Sequence, residues 1–126
     1  MRAVDTNVLV RLLTRDDPHQ ADSADSFVEK GAWVSILALA EASRVLATVY
    51  ERSAAELVTA IEMLVNHKEF TLQDPDAVGA ALDLLRKRPA LGFSDCLMLE
   101  IARKAGHLPL GTFDRALGKI AGAQKL

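Results

Sequence analysis

The stretch RAVDTNVLVRLL, residues 2–13, changes from a strand pattern to a helical pattern at Asp5. Residues 2–4 are too few for a helix, and the apolar residues after Asp5 recur with the i, i+3, i+4 spacing of one helix face. These apolar residues are Val8, Leu9, Leu12 and Leu13. We predict a strand followed by a helix, with Asp5 either capping the helix or forming one wall of a site.

Short strands continue to alternate with helices along the rest of the chain. Further strands are predicted at 32–35, 69–72, within 108–114 and at 123–126. Helices are predicted at 6–13, 18–30, 36–50, 53–67, 74–88, 94–106 and 115–122. This order indicates an α/β fold: a three-layer sandwich with a short central parallel sheet flanked by helices. The length predicts one domain, residues 1–126.

Capping residues support these helix boundaries. Asp17 and Asp74 each precede a proline at a helix start, and Ser53 with Glu56 forms a capping box. The other predicted caps are Ser35 and Ser94, and the predicted helix ends are Gly31, Pro89 and Gly106. The helix at 36–50 is apolar on most sides, which predicts that it is buried.

Composition limits the classes of function. With 15 Lys and Arg against 17 Asp and Glu, any contact with nucleic acid must be a local patch. Cys96 is the only cysteine, which excludes a disulfide within the chain and a cysteine cluster for zinc. Because the sequence has no signal-peptide pattern and no apolar run of membrane-spanning length, we expect a soluble cytoplasmic protein.

Acidic residues lie near the ends of the predicted strands, where ligands bind in open parallel sheets. Asp5 and Asp114 follow strands, Glu41 lies on the helix after the second strand, and Asp95 opens a later helix. Each has a structural alternative. The three aspartates would favour a helix N-terminus, and Glu41 would pair with Arg44 one turn on.

Two contrasts favour a site. Asp17 and Asp74 already serve as ordinary caps, whereas Ser94 is itself a competent cap and would leave the Asp95 carboxylate free to face a cleft. Glu41 sits among alanines and leucines, where an unpaired carboxylate would be costly to bury. These four acids therefore deserve a common explanation.

Converging carboxylates repel each other unless cations lie between them. Oxygen ligands without imidazole or thiolate suit Mg²⁺ or Mn²⁺, which can activate water and stabilise the leaving oxygen in phosphodiester cleavage. Thr6, Asn7 and Thr112 are expected to orient these acids through hydrogen bonds.

With these residues identified, the sequence resembles the PIN-domain ribonucleases, and among them the VapC-type toxins of bacterial and archaeal toxin–antitoxin pairs. Four segments carry the resemblance: AVDTNVLVRLL with Asp5, LALAEASRVL with Glu41, FSDCLMLEIARKAG with Asp95, and LPLGTFDRAL with Thr112 and Asp114. The resemblance covers essentially the whole chain.

The resemblance implies a metal-dependent endoribonuclease in which Asp5, Glu41 and Asp95 bind Mg²⁺ or Mn²⁺ and Asp114 completes the acidic cluster. Hydrolysis by activated water would expel the 3′ oxygen and leave a 5′ phosphate. The resemblance also implies a homodimer, inhibited by a small VapB-type antitoxin whose tail lies over the active site and whose other part binds operator DNA.

Contacts with RNA and with a second subunit are predicted from other residues. Arg11, Arg44 and Arg115 neighbour the strand ends and are candidates for binding RNA. Aromatic residues form only 5% of the chain, which favours recognition of phosphates and backbone shape over base stacking. Apolar positions between Ile36 and Val65 exceed what one small core easily covers, which indicates either a dimer interface or a compact helical layer over the sheet.

Other chemistries have less support. His19, His67 and His107 lack the spacing of a metal or catalytic motif, and Cys96 is expected in the core. No glycine-rich phosphate-binding loop is present. The alternative function is a non-catalytic PIN-like module, in which the acids hold a structural ion or a partner's basic tail; a receiver-type phosphoacceptor matches only at Asp5.

Overall fold

The structure is a computed structural model that describes residues Met1–Leu126. Its strands are β1 (Arg2–Ala3), β2 (Ala32–Val34), β3 (Phe70–Leu72), β4 (Leu110–Thr112) and β5 (Ala123–Lys125). Its helices are α1 (Thr6–Thr14), α2 (Pro18–Val28), α3 (Ile36–Thr48), α4 (Ala54–Asn66), α5 (Pro75–Lys87) and α6 (Phe93–Ala105). A 3₁₀ turn, Leu117–Lys119, precedes β5, so the helix predicted at 115–122 is wrong. The predicted α/β fold, with helices flanking a short parallel sheet, is confirmed.

Every strand pair is parallel, as helical crossovers between strands require. In one sheet β2 lies between β1 and β3, with Ala32 opposite both Arg2 and Phe70. β4 and β5 form a second sheet, in which Leu110 is opposite Ala123. The strand order is β1-β2-β3 in the first sheet and β4-β5 in the second, and no strand of one sheet is hydrogen-bonded to a strand of the other.

Helix starts follow the predicted caps with one exception. The Asp17 and Asp74 carboxylates accept hydrogen bonds from the backbone of α2 and α5, and both bonds of the Ser53 capping box are present. The exception is α6, which begins at Phe93 with Gly92 as its N-cap, so the prediction that Ser94 caps this helix is wrong. The side chain of Phe93 is buried in the core, which favours a helix start before Ser94.

One hydrophobic core of 24 buried residues joins the helices to the sheet. Cys96 lies in this core, as predicted. Burial, with smaller contributions from the charges of Asp95 and Glu100, raises the pKa of its thiol to about 12. The thiol is therefore protonated at neutral pH and is a poor nucleophile.

Helix α3 buries only one face. Ala38, Leu39 and Ala42 face the core, but Leu37 on the opposite face is 68% exposed. The prediction that this helix is buried on most sides is therefore wrong, because apolar composition does not determine how many of a helix's faces have a neighbour. Glu41 lies on the exposed face and so avoids the cost of burial.

Among the helices of this chain, none combines the length and the apolar composition that a membrane span requires.

Candidate active site

Two of the four predicted acids follow strands, and the other two lie in the first two turns of helices. Asp5 links β1 to α1, and Glu41 lies on the second turn of α3, which directly follows β2 and Ser35. Asp114 comes two residues after β4, and Asp95 lies in the first turn of α6. We call Asp5, Glu41, Asp95 and Asp114 the acidic edge.

Asp5 caps a helix and still has a free oxygen. Its backbone is extended, and its Oδ1 accepts a hydrogen bond of 3.1 Å from the N–H of Val8. Its Oδ2 accepts no hydrogen bond from the protein. Capping uses only one carboxylate oxygen, so the structural role and a ligand role are compatible.

Glu41 is linked to the start of α1. The hydroxyl of Thr6, next to Asp5 in the chain, donates a hydrogen bond of 3.1 Å to Oε2 of Glu41. The ion pair between Glu41 and Arg44, considered from the sequence, does not form. The bond from Thr6 therefore brings the second acid beside the first and leaves Oε1 of Glu41 free.

The charge of Asp114 affects the titration of Asp95. Asp95 is half-buried and accepts no hydrogen bond; burial raises its pKa most, the charge of Asp114 raises it further, and Arg44 acts in the opposite direction. Asp114 holds the loop that leads into the 3₁₀ turn, because its Oδ1 accepts the N–H of Leu117 at 2.8 Å. Its own N–H donates to the Thr112 hydroxyl at 3.0 Å. Thr112 thus orients the backbone of Asp114.

A cleft of about 820 Å³ between α3 and α6 contains part of this edge. Glu41, Arg44 and Asp95 contribute to its lining, together with Gln73, which was not among the predicted site residues. The side chain of Gln73 accepts the N–H of Ile36 at 2.9 Å and so helps to cap α3. Its position directly after β3 is the signal that would have identified it.

The four carboxylates of the acidic edge have no basic partner within the protein. Eight ion pairs form elsewhere, and none includes one of its four carboxylates. Each of the four has at least one oxygen without a hydrogen bond. Their negative charge is therefore not neutralised by the protein.

These donors fit an oxygen-preferring divalent cation by their chemistry, because all are carboxylates. No three acidic, histidine or cysteine side chains are already arranged to hold a metal ion. Binding of Mg²⁺ or Mn²⁺ would therefore require side-chain rotations that bring the carboxylates together.

The remaining predicted residues differ in their environments. Arg11 pairs with Asp16 at 3.3 Å and also donates to Gln20 and Tyr50. In contrast, the guanidinium groups of Arg44 and Arg115 form no ion pair or hydrogen bond within the protein, and both residues are exposed. Asn7 is exposed and lines a separate shallow pocket with Asp5 and Arg11.

Comparison with known families agrees with this architecture. The PIN domain profile matches residues 2–123, a segment that contains the whole acidic edge. No curated protein shows significant similarity to the sequence. Because the match covers nearly all of the chain, the protein belongs to the PIN domain family.

Proposed function

We propose that this PIN domain is a metal-dependent endoribonuclease that hydrolyses phosphodiester bonds in RNA. The observation that carries the proposal is the acidic edge: four carboxylates that form no ion pair, two of which, Glu41 and Asp95, line one cleft. Asp95, whose pKa is raised mainly by burial, lies in this cleft, and a carboxylate with an altered pKa in a cleft is typical of functional sites. The free guanidinium of Arg44 in the same cleft is suited to a substrate phosphate.

We assign metal binding to Asp5, Glu41 and Asp95, with Asp114 completing the site. When bound, Mg²⁺ or Mn²⁺ would supply activation of water and neutralisation of phosphate charge. The hydrogen bond from Thr6 would hold Glu41 in position, and Arg44 and Arg115 would contact phosphates. The free Oδ2 of Asp114 would accept a proton from the attacking water. As the water oxygen bonds to phosphorus, the bond to the 3′ oxygen would break; that oxygen would take a proton from solvent and the other product would keep a 5′ phosphate.

We further propose that the enzyme is a VapC-type toxin that acts in the cytoplasm as a homodimer and is inhibited by a VapB-type antitoxin. The support is the apolar wall of the cleft, where Leu37 is 68% exposed and Met98 is 54% exposed. Exposed apolar side chains grouped at one place are typical of surfaces that bind protein. Sedimentation velocity tests the dimer, and copurification with the product of the adjacent reading frame tests the antitoxin.

The decisive experiment is cleavage of a labelled total-RNA pool by the purified chain with Mg²⁺, with Mn²⁺ and with EDTA. We expect cleavage only with metal, with new 5′ phosphate ends. Cleavage that persists in EDTA, or 5′ hydroxyl ends, would contradict the proposed mechanism.

A non-catalytic module that binds RNA or a protein is the second candidate. The observation on its side is that no three carboxylates are already arranged around one metal position. If the folded chain binds RNA but cuts it with neither metal, this second function replaces the first.

A further inference from the structure

Phe113 is the most exposed large apolar side chain in the protein. Its exposed fraction is 80%, whereas Phe93 is buried and Phe27 and Phe70 are half-buried. Its ring is not among the apolar side chains that form the core or pack against it. The fold therefore does not account for an aromatic side chain at this position.

The backbone on both sides of Phe113 is held in place. The carbonyl of Thr112 accepts the N–H of Leu126 at 2.8 Å, which ties β4 to the end of the chain. The Thr112 hydroxyl accepts the N–H of Asp114 at 3.0 Å, and the Asp114 carboxylate in turn accepts the N–H of Leu117 at 2.8 Å. A ring that projects into solvent from a fixed turn is preorganised for a ligand.

The charges around Phe113 indicate the class of ligand. Asp114 of the acidic edge is the next residue, and it is the only acid between residues 113 and 126. The same segment contains Arg115, Lys119 and Lys125, all exposed and none in an ion pair. A polyanion would complement this locally positive segment in a chain whose formal net charge is -2.

We propose that Phe113 stacks on a nucleobase of single-stranded RNA beside the phosphodiester that is cleaved. This inference rests on the proposed nuclease function and adds a substrate-positioning residue to it. Unpaired bases commonly stack on aromatic side chains, and every base has a face to offer. The low aromatic content of the chain is no obstacle, since this contact needs one ring.

Substitution of Phe113 tests the stacking contact. Affinity for a fluorescein-labelled single-stranded RNA is measured in EDTA, and kcat/KM is measured with Mg²⁺ or Mn²⁺. We expect Phe113→Ala to weaken binding by about 5- to 150-fold, which corresponds to roughly 1–3 kcal/mol for one stacked base. The loss in kcat/KM should come mainly through KM, because the ring contacts a base and not the reacting atoms.

Two further variants separate stacking from simple apolar contact. Phe113→Trp should retain affinity, whereas Phe113→Leu should lose most of it although it keeps an apolar side chain. Val49→Ala is the matched control, because Val49 is 70% exposed and lies at the other end of α3 from β2. An abasic nucleotide moved along the RNA should weaken binding at one position in the wild type, and have little effect there in Phe113→Ala.

Each other outcome has a definite meaning. If the wild type cuts RNA and either Phe113→Ala or Phe113→Leu equals it, the stacking contact is wrong while the nuclease stands. If the wild type neither binds nor cuts RNA, the proposed function is wrong, and the stacking contact that rests on it is wrong as well. If Phe113→Ala instead converts a dimer to a monomer in sedimentation, a second copy covers the ring and the inference is overturned.

Discussion

Two groups of polar and charged residues in this protein differ in whether their carboxylates have an ion-pair partner. The first is the acidic edge. The second, which we call the Tyr50 network, joins the α1–α2 loop to the end of α3 and consists of Arg11, Thr14, Asp16, Gln20 and Tyr50. In the network, Asp16 accepts hydrogen bonds from Tyr50 at 2.6 Å and from Thr14 at 2.8 Å, and it pairs with Arg11 at 3.3 Å.

The pKa values of Asp16 and Asp95 are shifted in opposite directions. The bond from Tyr50, and then that from Thr14, lowers the pKa of Asp16, so its charge favours the folded state. Burial and the neighbouring charge of Asp114 raise the pKa of Asp95, so its charge opposes folding. The network thus serves the fold, whereas the acidic edge stores unneutralised charge that a cation or substrate can use.

The largest expected effect comes from replacing one carboxylate of the acidic edge with a neutral amide. Asp5→Asn should lower RNA cleavage by at least about 100-fold, because asparagine can still cap α1 but loses the negative charge. The matched control is Asp17→Asn, a cap that accepts the N–H of Gln20 at 3.0 Å and lies outside the edge. RNA gels and circular dichroism of both variants provide the measurement. Equal cleavage by the two variants would show that Asp5, like Asp17, serves only as a helix cap.

Metal binding should stabilise the acidic edge and leave other acids unaffected. At free Mn²⁺ about ten times its Kd, we expect the free energy of unfolding to rise by ~1.4 kcal/mol, measured by thermal unfolding against EDTA. Asp95→Asn should lose most of this increase, and in EDTA it should be at least as stable as the wild type because a disfavoured charge is gone. Asp17→Asn should respond like the wild type. A full response in Asp95→Asn would show that the ion binds elsewhere.

The sequence predicted the parts of this contrast that depend on local patterns. The pattern of a strand followed by an acidic residue predicted the positions of Asp5 and Asp114. The pattern of an aspartate followed by a proline predicted the structural cap at Asp17. The start of α6 was missed because it depends on the burial of Phe93, a tertiary contact that a Ser-Asp pair near a helix start does not reveal.

Long-range contacts were also invisible in the sequence. Arg11 looked equivalent to Arg44, since each is near a strand end, but Tyr50 lies 39 residues from Arg11 and engages it only in the folded chain. The apolar composition of its helix predicted that Glu41 would lie in a buried environment. The exposed face of α3 and the bond from Thr6 are properties of packing.

The two arginines give a third, smaller test of the contrast. Arg44→Ala should weaken RNA binding and reduce the slope of log Kobs against log salt by about 0.7, as expected for one lost phosphate contact on a single strand. Arg11→Ala should instead lower the free energy of unfolding, with less effect on the salt slope. Lys68→Ala, at the amino end of β3, is the control for loss of one exposed charge. A larger loss of RNA binding in Arg11→Ala than in Arg44→Ala would restore Arg11 as the main contact.

The smallest expected effect concerns pH and the Tyr50 network. A lowered pKa means that Asp16 contributes stability above its ordinary value of 3.8, and that this contribution is lost as pH falls through the lower, folded-state pKa. Tyr50→Phe removes the largest cause of the shift. The difference in unfolding free energy between this variant and the wild type should therefore be constant near neutral pH and shrink below about 3.8. Urea unfolding at successive pH values measures it.

Asp16→Asn provides the control for this pH dependence, because adding Tyr50→Phe to it should produce no further change with pH. RNA cleavage at neutral pH should be the same in Tyr50→Phe as in the wild type, since the network holds the α1–α2 loop to α3 and contributes no carboxylate to the acidic edge. A loss of cleavage close to that of Asp5→Asn, in a variant that stays folded, would mean that the network positions α1 and Asp5 for catalysis. The two regions would then form one functional unit, and the satisfied hydrogen bonds of the network would serve the site as well as the fold.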